Sequence, residues 1–314
     1  MLACEPTREA FEARPLLKYI LATRPPFLLA ALIAAVIGLA TAVYAGASFH
    51  PWLAAITLIG AVTVHAGINV FNDYYDALNG TDAINMERLY PFTGGSRFIQ
   101  NGVLDARETR DFALLLFGLT ALIGIGLTVW TGLGLVWVGL AGLLIGWAYS
   151  APPLALNSRG LGELSVALGF GLLMPLGADM VQRHAFDPLP MLAGLPYALL
   201  VANLLYINQF PDRLADAAAG KRHWVVRLGP DKARWGYILM ALAAYAILIL
   251  EWAWGALPDW ALLGLLPIPL SIFASLALLR HAASPDRLGT AIRMTIAAAL
   301  SHGALLSLGL ALAA

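Results

Sequence analysis

The sequence predicts an all-α polytopic membrane protein with nine transmembrane helices in a bundle around a central cavity. The chain of 314 residues is 60% hydrophobic and 12% charged, with a mean hydropathy of +0.76, whereas soluble domains are about 45–50% apolar and about 25% charged. Apolar runs of about 18–25 residues, long enough to cross a bilayer, recur along the chain, and the basic residues gather between alternate runs. A lipid bilayer is the environment that suits this composition.

The spans follow one another along the whole chain. Residues 1–24 mix acidic and basic side chains, so we expect no cleavable signal peptide and a retained first span. Residues 112–149 must hold two spans, because one helix of that length would extend about 57 Å at about 1.5 Å per residue, against a hydrocarbon core of about 30 Å. The spans are predicted near 25–44, 52–75, 112–130, 133–149, 161–181, 190–208, 235–252, 260–279 and 289–312.

The charge pattern predicts how the bundle is oriented. With a cytoplasmic N-terminus, every Lys and Arg except Arg183 falls on the cytoplasmic side, as the positive-inside rule requires. We therefore expect one transmembrane domain over 1–314, placed in the inner membrane if the source is bacterial. Its cytoplasmic parts are the segment 1–24 and the motif-bearing loops 76–111 and 209–234. The net charge of zero gives no indication of a nucleic-acid partner, and the single cysteine, Cys4, excludes a disulfide framework.

The chain also carries a pseudo-repeat. The pattern Asn69-x-x-x-Asp73 closes the second span, and Asn208-x-x-x-Asp212 closes the sixth. Both spans run in the same direction, so we predict two parallel four-helix units, spans 1–4 and 5–8, with the ninth span as an addition. The Asp-bearing ends of the two units are then expected to face each other across the cavity.

Two acidic motifs are the main candidates for a functional site. Residues three and four apart share a helix face, which aligns Asn69, Asp73 and Asp76 in the first motif. The second motif, 208–216, repeats the four-residue step, and Pro211 inside it is expected to kink or end the helix. A lone terminal Asp would serve mainly to solvate a helix end. Two matching sets favour function, because ionisable residues within spans are costly.

Carboxylates in this arrangement indicate a hard cation and an anionic substrate. Mg²⁺ takes oxygen ligands in near-octahedral array, typically one or two carboxylates with substrate phosphates and water. Acids alone would repel a diphosphate, so we expect Mg²⁺, as two ions, between the motifs and the diphosphate of a lipid-like substrate. Basic side chains should complete the site, and the candidates are Arg24, Arg97, Arg159, Lys221 and Arg222. His65 and His302 also lie within spans and receive no role.

These motifs resemble those of a known family. Residues 72–82, with the sequence Asn-Asp-Tyr-Tyr-Asp-Ala-Leu-Asn-Gly-Thr-Asp, resemble the first signature of the UbiA superfamily of intramembrane prenyltransferases, and 212–229 is similar to the second. The loop 149–163 between them is similar to the superfamily's loop after the fourth span. The resemblance extends from about Arg24 to the end of the chain. Residues 93–100, Thr-Gly-Gly-Ser-Arg-Phe-Ile-Gln, are similar to the 1,4-dihydroxy-2-naphthoate prenyltransferases of menaquinone biosynthesis.

The resemblance implies a cavity open sideways to lipid and Mg²⁺-dependent transfer of an isoprenyl group from its diphosphate to an aromatic acceptor, most closely a quinone precursor. It assigns catalysis to Asp73, Asp76, Asp212 and Asp216, which together with Asn69 and Asn208 also bind the metal. Substrate-binding roles fall to Asn69, Asn72, Asn208, Tyr149 and Ser150, beside the five basic residues. The chain departs from many relatives at Phe210-Pro211, where Met-Arg is common, and at Ala155 and Asn157, where some carry lysine.

Three other functions are compatible with parts of this pattern. A UbiA-type cyclase, which is a terpene synthase, would need the same acids and would use no aromatic acceptor. A prenyltransferase for chlorophyllide, haem or another quinone precursor would also keep them. A cation-coupled transporter usually has broken helices near mid-membrane, whereas the acids here lie at span ends.

Overall fold

A computed structural model describes residues 4–314 of the chain. In this part of the chain the regular structure is helical and no strand occurs, which confirms the predicted fold class. Residues 1–3 of the predicted N-terminal segment lie outside the described residues. The helices are α1 (Glu9–Glu12), α2 (Pro15–Ala22), α3 (Pro25–Tyr44), α4 (Pro51–Leu78), α5 (Thr81–Ile84), α6 (Ala106–Thr131), α7 (Gly134–Ser150), α8 (Gly162–Arg183), α9 (Leu189–Ala218), α10 (Trp224–Leu228), α11 (Pro230–Ala253), α12 (Ile268–His281) and α13 (Gly289–Leu312).

Among the described residues, eight helical segments are long and apolar enough to cross a membrane: α3, α4, α6, α8, α9, α11, α13 and the stretch Asp259–His281 that ends in α12. Helix α7 is apolar but shorter, with 17 residues, so the count of nine stays a prediction. Helices α6 and α7 separate at Gly132, whose φ of 100° favours glycine. That break falls where the length argument requires two spans.

Helices α4 and α9 extend beyond the ends that the sequence predicts. Helix α4 continues to Leu78, so Asp76 is helical, and α9 continues through Asp212 and Asp216 to Ala218. Of the two outcomes predicted at Pro211, a kink or an end of the helix, the end does not occur. A proline inside a helix costs about 3 kcal/mol or more. Helix α9 is largely buried among α8, α11 and α13, and this packing holds the helix through the proline.

Close contacts between backbones bring the central helices together. A Cβ atom on Gly194 of α9 would lie 1.9 Å from the carbonyl oxygen of Gly171 in α8, and one on Gly38 of α3 would lie 2.0 Å from that of Pro175. Gly171 belongs to a π-helical stretch, Ala167–Leu173, a feature that often marks a functional site. The resulting arrangement places the motif-bearing ends of α4 and α9 on either side of one chamber.

Candidate active site

The two acidic motifs line a common cavity of about 190 Å³, called the polar chamber below. Helix α4 contributes one motif and α9 the other, and the segment between α5 and α6 closes the chamber from the side. The structure therefore brings together acids that lie far apart in the sequence. The chamber's polar wall consists of Arg24, His65, Asn69, Asn72, Asp76, Thr81, Asp82, Asn85, Thr93, Tyr149, Asn157, Asn208, Gln209, Asp212, Asp216, Lys221 and His223.

Lys221 joins the two motifs directly. Its Nζ atom lies 2.8 Å from Oδ1 of Asp76 and 3.0 Å from Oδ1 of Asp216. The imidazole Nε2 of His223 lies 3.0 Å from the other oxygen of Asp216. Burial lowers the pKa of Lys221, but the two carboxylates outweigh burial and raise that pKa above its ordinary value. The ammonium group thus holds a positive charge between two acids of different motifs.

A glycine-rich loop passes between the motifs. The amide of Gly94 donates to Oδ2 of Asp212 at 3.3 Å, and the amide of Ser96 donates to both carboxylate oxygens of Asp73 at 3.3 Å. Between them, Gly95 has φ of 72°, and a Cβ atom there would lie 2.3 Å from Oδ2 of Asp82. The turn therefore requires glycine both for its backbone conformation and for space. Asp73 itself is buried behind this loop.

Asp82 is the fourth acid of the chamber wall, beside Asp76, Asp212 and Asp216, and the sequence analysis assigned it no role. Its side chain is 3% exposed, and its Oδ2 atom has no hydrogen-bond partner. Burial, and then the charges of Asp76 and Asp73, raise the pKa of Asp82 to about 8. Because Asp82 follows α4 by a turn, helical spacing could not place it on the motif face. The only sequence feature that could have indicated a role for Asp82 was its place shortly after the first motif.

The chamber's donor set fits Mg²⁺ in the presence of a phosphate substrate. Carboxylate and amide oxygens are the ligands that this ion prefers. The Oδ1 atom of Asn208 and the Oδ2 atom of Asp82 are buried and have no hydrogen-bond partner. Across residues 4–314, no three acidic, His or Cys side chains are gathered closely enough to hold a metal by themselves. Two protein groups instead contact the carboxylates. Lys221 pairs with Asp76 and Asp216, and Asn85 donates to Asp212 at 2.6 Å.

Other predicted residues also reach the chamber. The guanidinium group of Arg24 donates to the carbonyl oxygen of Phe92 at 3.2 Å, lies over the ring of Phe27 and retains a buried Nε without a partner. Asn72 donates to the hydroxyl of Ser150 at 3.1 Å. That contact ties the first motif to the end of α7, where Tyr149 lines the wall.

Three predicted basic residues lie outside the chamber wall. Arg97 is buried, donates to the carbonyl oxygen of Asp82 and pairs with Glu5 at 3.6 Å, so it supports the loop. Arg159 is exposed and donates to the carbonyl oxygen of Pro153 at 2.6 Å. Arg222 is exposed as well. Their substrate-binding roles remain predictions.

A second, mostly apolar cavity of about 420 Å³ adjoins the chamber between α4, α6, α7 and α8. Six residues line both the polar chamber and the apolar cavity, and they define the junction of the two. These residues are His65, Ile68, Asn69, Tyr149, Val166 and Phe170. A polar compartment that adjoins an apolar one matches a ligand that has a charged head and a hydrocarbon tail.

The fold and the site together define an integral membrane protein with a polar chamber beside an apolar cavity. The particular family follows from its sequence. The chain belongs to the UbiA prenyltransferase family, whose family model matches residues 31–312, and it is a membrane-embedded prenyltransferase.

Curated relatives agree with this assignment. The chain is 28% identical over 293 residues to 1,4-dihydroxy-2-naphthoate octaprenyltransferase from Escherichia coli strain K12, covering 91% of this chain and 92% of that protein. It is 24% identical to the enzyme of that name from Bacillus subtilis strain 168, with coverages of 92% and 90%.

Solved structures share the fold. A UbiA homologue from Archaeoglobus fulgidus bound to DMAPP and Mg²⁺ has a TM-score of 0.61 and 17% identity, covering 92% of this chain and 99% of that one. A UbiA homologue from Aeropyrum pernix K1 in its apo form has a TM-score of 0.65 and 18% identity, with coverages of 88% and 96%. At these identities the structures support the architecture alone.

Proposed function

We propose that this protein transfers an isoprenyl group from an isoprenyl diphosphate to 1,4-dihydroxy-2-naphthoate, with Mg²⁺ and with release of diphosphate. The observation that carries the proposal is the convergence of both acidic motifs on one chamber beside an apolar cavity. The acceptor is inferred from relatives that bear this name at 24–29% identity and from the loop 93–100. Two Mg²⁺ ions and a cytoplasmic position for the motif end of the bundle are part of the proposal.

The polar chamber binds the diphosphate head. Bound Mg²⁺ would be held by Asp76, Asp212 and Asp216 with the amide oxygens nearby, and it would neutralise the charge that develops on the leaving diphosphate. Lys221 and Arg24 supply hydrogen-bond donors to the same oxygens. As the allylic C–O bond breaks, its electron pair stays on the diphosphate.

The apolar cavity binds the isoprenyl chain and keeps water from the allylic cation. Tyr149 lies at the junction of the two cavities, where its ring offers a π-face to that cation. The π electrons of the acceptor ring form the new C–C bond. Aromaticity returns when that ring position releases a proton or its carboxyl group.

The test uses full-length protein, purified in detergent and reconstituted in nanodiscs. Isoprenyl diphosphates of several lengths are supplied with and without 1,4-dihydroxy-2-naphthoate, in Mg²⁺ or in EDTA, and products are identified by mass spectrometry. We expect prenylated naphthol and diphosphate only with both substrates and Mg²⁺. Asp212→Asn serves as the inactive control. Diphosphate with a cyclic terpene and no acceptor would indicate a cyclase, and turnover in EDTA would overturn the metal site.

A further inference from the structure

His65 borders the junction of the polar chamber and the apolar cavity. It is on α4, four residues before Asn69 and so about 6 Å further along the helix axis, and it is 8% exposed. Its side chain lines both the polar chamber and the apolar cavity. An allylic carbon is bonded directly to the diphosphate oxygen. With the head in one cavity and the chain in the other, that carbon sits at the junction that His65 borders.

The imidazole of His65 packs against a neighbouring ring, and its Nδ1 atom has no hydrogen-bond partner. Its ring packs edge-on against Phe170, with ring centroids 4.8 Å apart and an interplanar angle of 78°. Its Nδ1 atom is buried and has no hydrogen-bond partner. Buried polar groups are normally paired, and an unpaired one costs about 1–3 kcal/mol. Because His65 also lines both cavities, a bound molecule can reach this nitrogen and supply the missing partner.

The second intramembrane histidine has a different environment. His302 is fully buried, and its Nδ1 atom lies 2.8 Å from the carbonyl oxygen of Gly264. Its position in α13 is away from the walls of both cavities. The Nε2 atom of His302 is also buried without a partner, but it lies in the closed core, whereas His65 lines both cavities.

The chemistry of the ligands identifies the partner of His65. The isoprenyl chain has no hydrogen-bonding group, and the diphosphate is held further into the chamber by the motif residues and Lys221. Of the other two polar residues at the junction, Asn69 donates to the carbonyl oxygen of Thr23 at 3.0 Å, and the ring of Tyr149 faces the allylic cation in the proposed function. A ring hydroxyl of the aromatic acceptor is the remaining group that must come close to the allylic carbon.

We infer that His65 hydrogen-bonds a ring hydroxyl of the aromatic acceptor and so holds the ring against the allylic carbon. This inference rests on the proposed function. In the neutral form, an imidazole nitrogen accepts the hydroxyl hydrogen. That bond draws electron density into the ring and favours its attack on the cation. His65 therefore acts in acceptor recognition rather than in diphosphate binding.

The test compares His65→Phe, which keeps a flat ring without hydrogen bonding, with His65→Gln, which keeps a polar group. The KM values for 1,4-dihydroxy-2-naphthoate and for the isoprenyl diphosphate are measured separately in nanodiscs. We expect His65→Phe to raise the acceptor KM at least tenfold and to change the diphosphate KM less than twofold. His65→Gln should recover part of the loss. His302→Gln is the matched control and should leave both values unchanged.

A second measurement separates recognition from folding. The acceptor's hydroxyl groups are replaced one at a time by methoxy groups, and kcat/KM is compared for the wild type and each variant. The wild type should discriminate against one methyl ether at least tenfold, and the His65 variants should lose that discrimination. If His65→Phe fails to fold, as judged by thermal unfolding, the discrimination ratios of His65→Gln decide the question. Unchanged discrimination in an active His65 variant overturns the inference, whereas a wild type that prenylates no naphthol overturns the proposed function instead.

Discussion

The ammonium group of Lys221 lies 2.8 Å from Oδ1 of Asp76, so the loop after the second motif is ion-paired with the first motif. The same group lies 3.0 Å from Asp216. A cation of the protein therefore occupies space between acids to which we assign metal binding. Breaking a buried pair by removing one partner leaves uncompensated charge. Binding of Mg²⁺ by Asp76 and Asp216 would therefore require Lys221 to leave these carboxylates.

Lys221→Gln should expose this competition. Without its ammonium group, the acids of the two motifs attract a free cation more strongly, so Mn²⁺ affinity in the absence of substrate should rise at least threefold by electron paramagnetic resonance titration. Affinity for isoprenyl diphosphate should fall at least tenfold, because a donor is lost. Lys232→Gln, at an exposed position in α11, is the control. Weaker Mn²⁺ binding together with unchanged diphosphate binding would remove Lys221 from both roles.

Gly95→Ala should disable the site through geometry. The added methyl group would lie 2.3 Å from Oδ2 of Asp82 at a position with φ of 72°. We expect a loss of stability greater than the about 1–3 kcal/mol that the backbone conformation alone costs, and a fall of at least 100-fold in kcat/KM. The control is Gly102→Ala. Gly102 has φ of 66°, and a Cβ atom there would have nothing within 4 Å, so this variant loses only the stability that the strained backbone conformation costs. Equal behaviour of both variants in thermal unfolding and turnover would contradict the steric argument.

Glu5 should make the motif loop sensitive to acid. Its carboxylate contacts Arg88 at 2.6 Å and Arg97 at 3.6 Å, and Asn101 at 3.3 Å. Burial raises the pKa of Glu5, but hydrogen bonds from Arg88 and Asn101 outweigh it, and the pKa lies below the ordinary value of 4.5. The ionised form is thus favoured by folding, so its stabilisation is present above pH 4.5 and is lost as pH falls through the lowered pKa.

Hydrogen exchange over residues 85–101 measures this effect. In the wild type, protection should hold from pH 7 down to about pH 5 and should decrease as pH falls below 4.5, after correction for intrinsic exchange rates. In Glu5→Gln it should already be low at pH 7 and should change little with pH. Glu9→Gln, in the exposed helix α1, is the control. The same pH dependence in Glu5→Gln and in the wild type would assign the effect to another group.

Gly142→Leu should shorten the isoprenyl chain that the enzyme accepts. Gly142 lines the apolar cavity, and a Cβ atom there meets nothing within 4 Å, so a larger side chain fits but occupies ligand space. The ratio of kcat/KM values for long and short isoprenyl diphosphates should fall at least fivefold. Gly118→Leu, at an exposed position of α6 that also has open space, should leave the ratio unchanged. An unchanged ratio in Gly142→Leu would mean that the chain lies elsewhere.

Local sequence patterns predicted most of the architecture. Span bounds could be read because each apolar run must match the bilayer thickness, and the motif acids stood out because charge is rare within such runs. The helix through Pro211 could not be predicted. Its continuation depends on packing against α8, α11 and α13, which local propensity does not report.

In the site, too, the sequence predicted which residues share a helix face, but it could not predict contacts between distant segments. Sequence spacing placed Asp73 and Asp76 on one helix face, but it gave no means of knowing that Lys221 would lie between Asp76 and Asp216. The sequence also gave no reason to assign His65 and His302 different roles. One of these histidines lines two cavities and the other lies in the closed core, because that difference depends on which helices pack around each ring.

The sequence by itself determined that the chain is a helical membrane bundle with two acidic motifs, because hydropathy and helical periodicity are properties of neighbouring residues. Only the tertiary structure decided that the motifs close one chamber, that Asp82 joins them and that His65 borders the apolar cavity. Those relations join residues far apart in the chain, and they are fixed by helix packing, in which backbones come into contact at glycines such as Gly171 and Gly194.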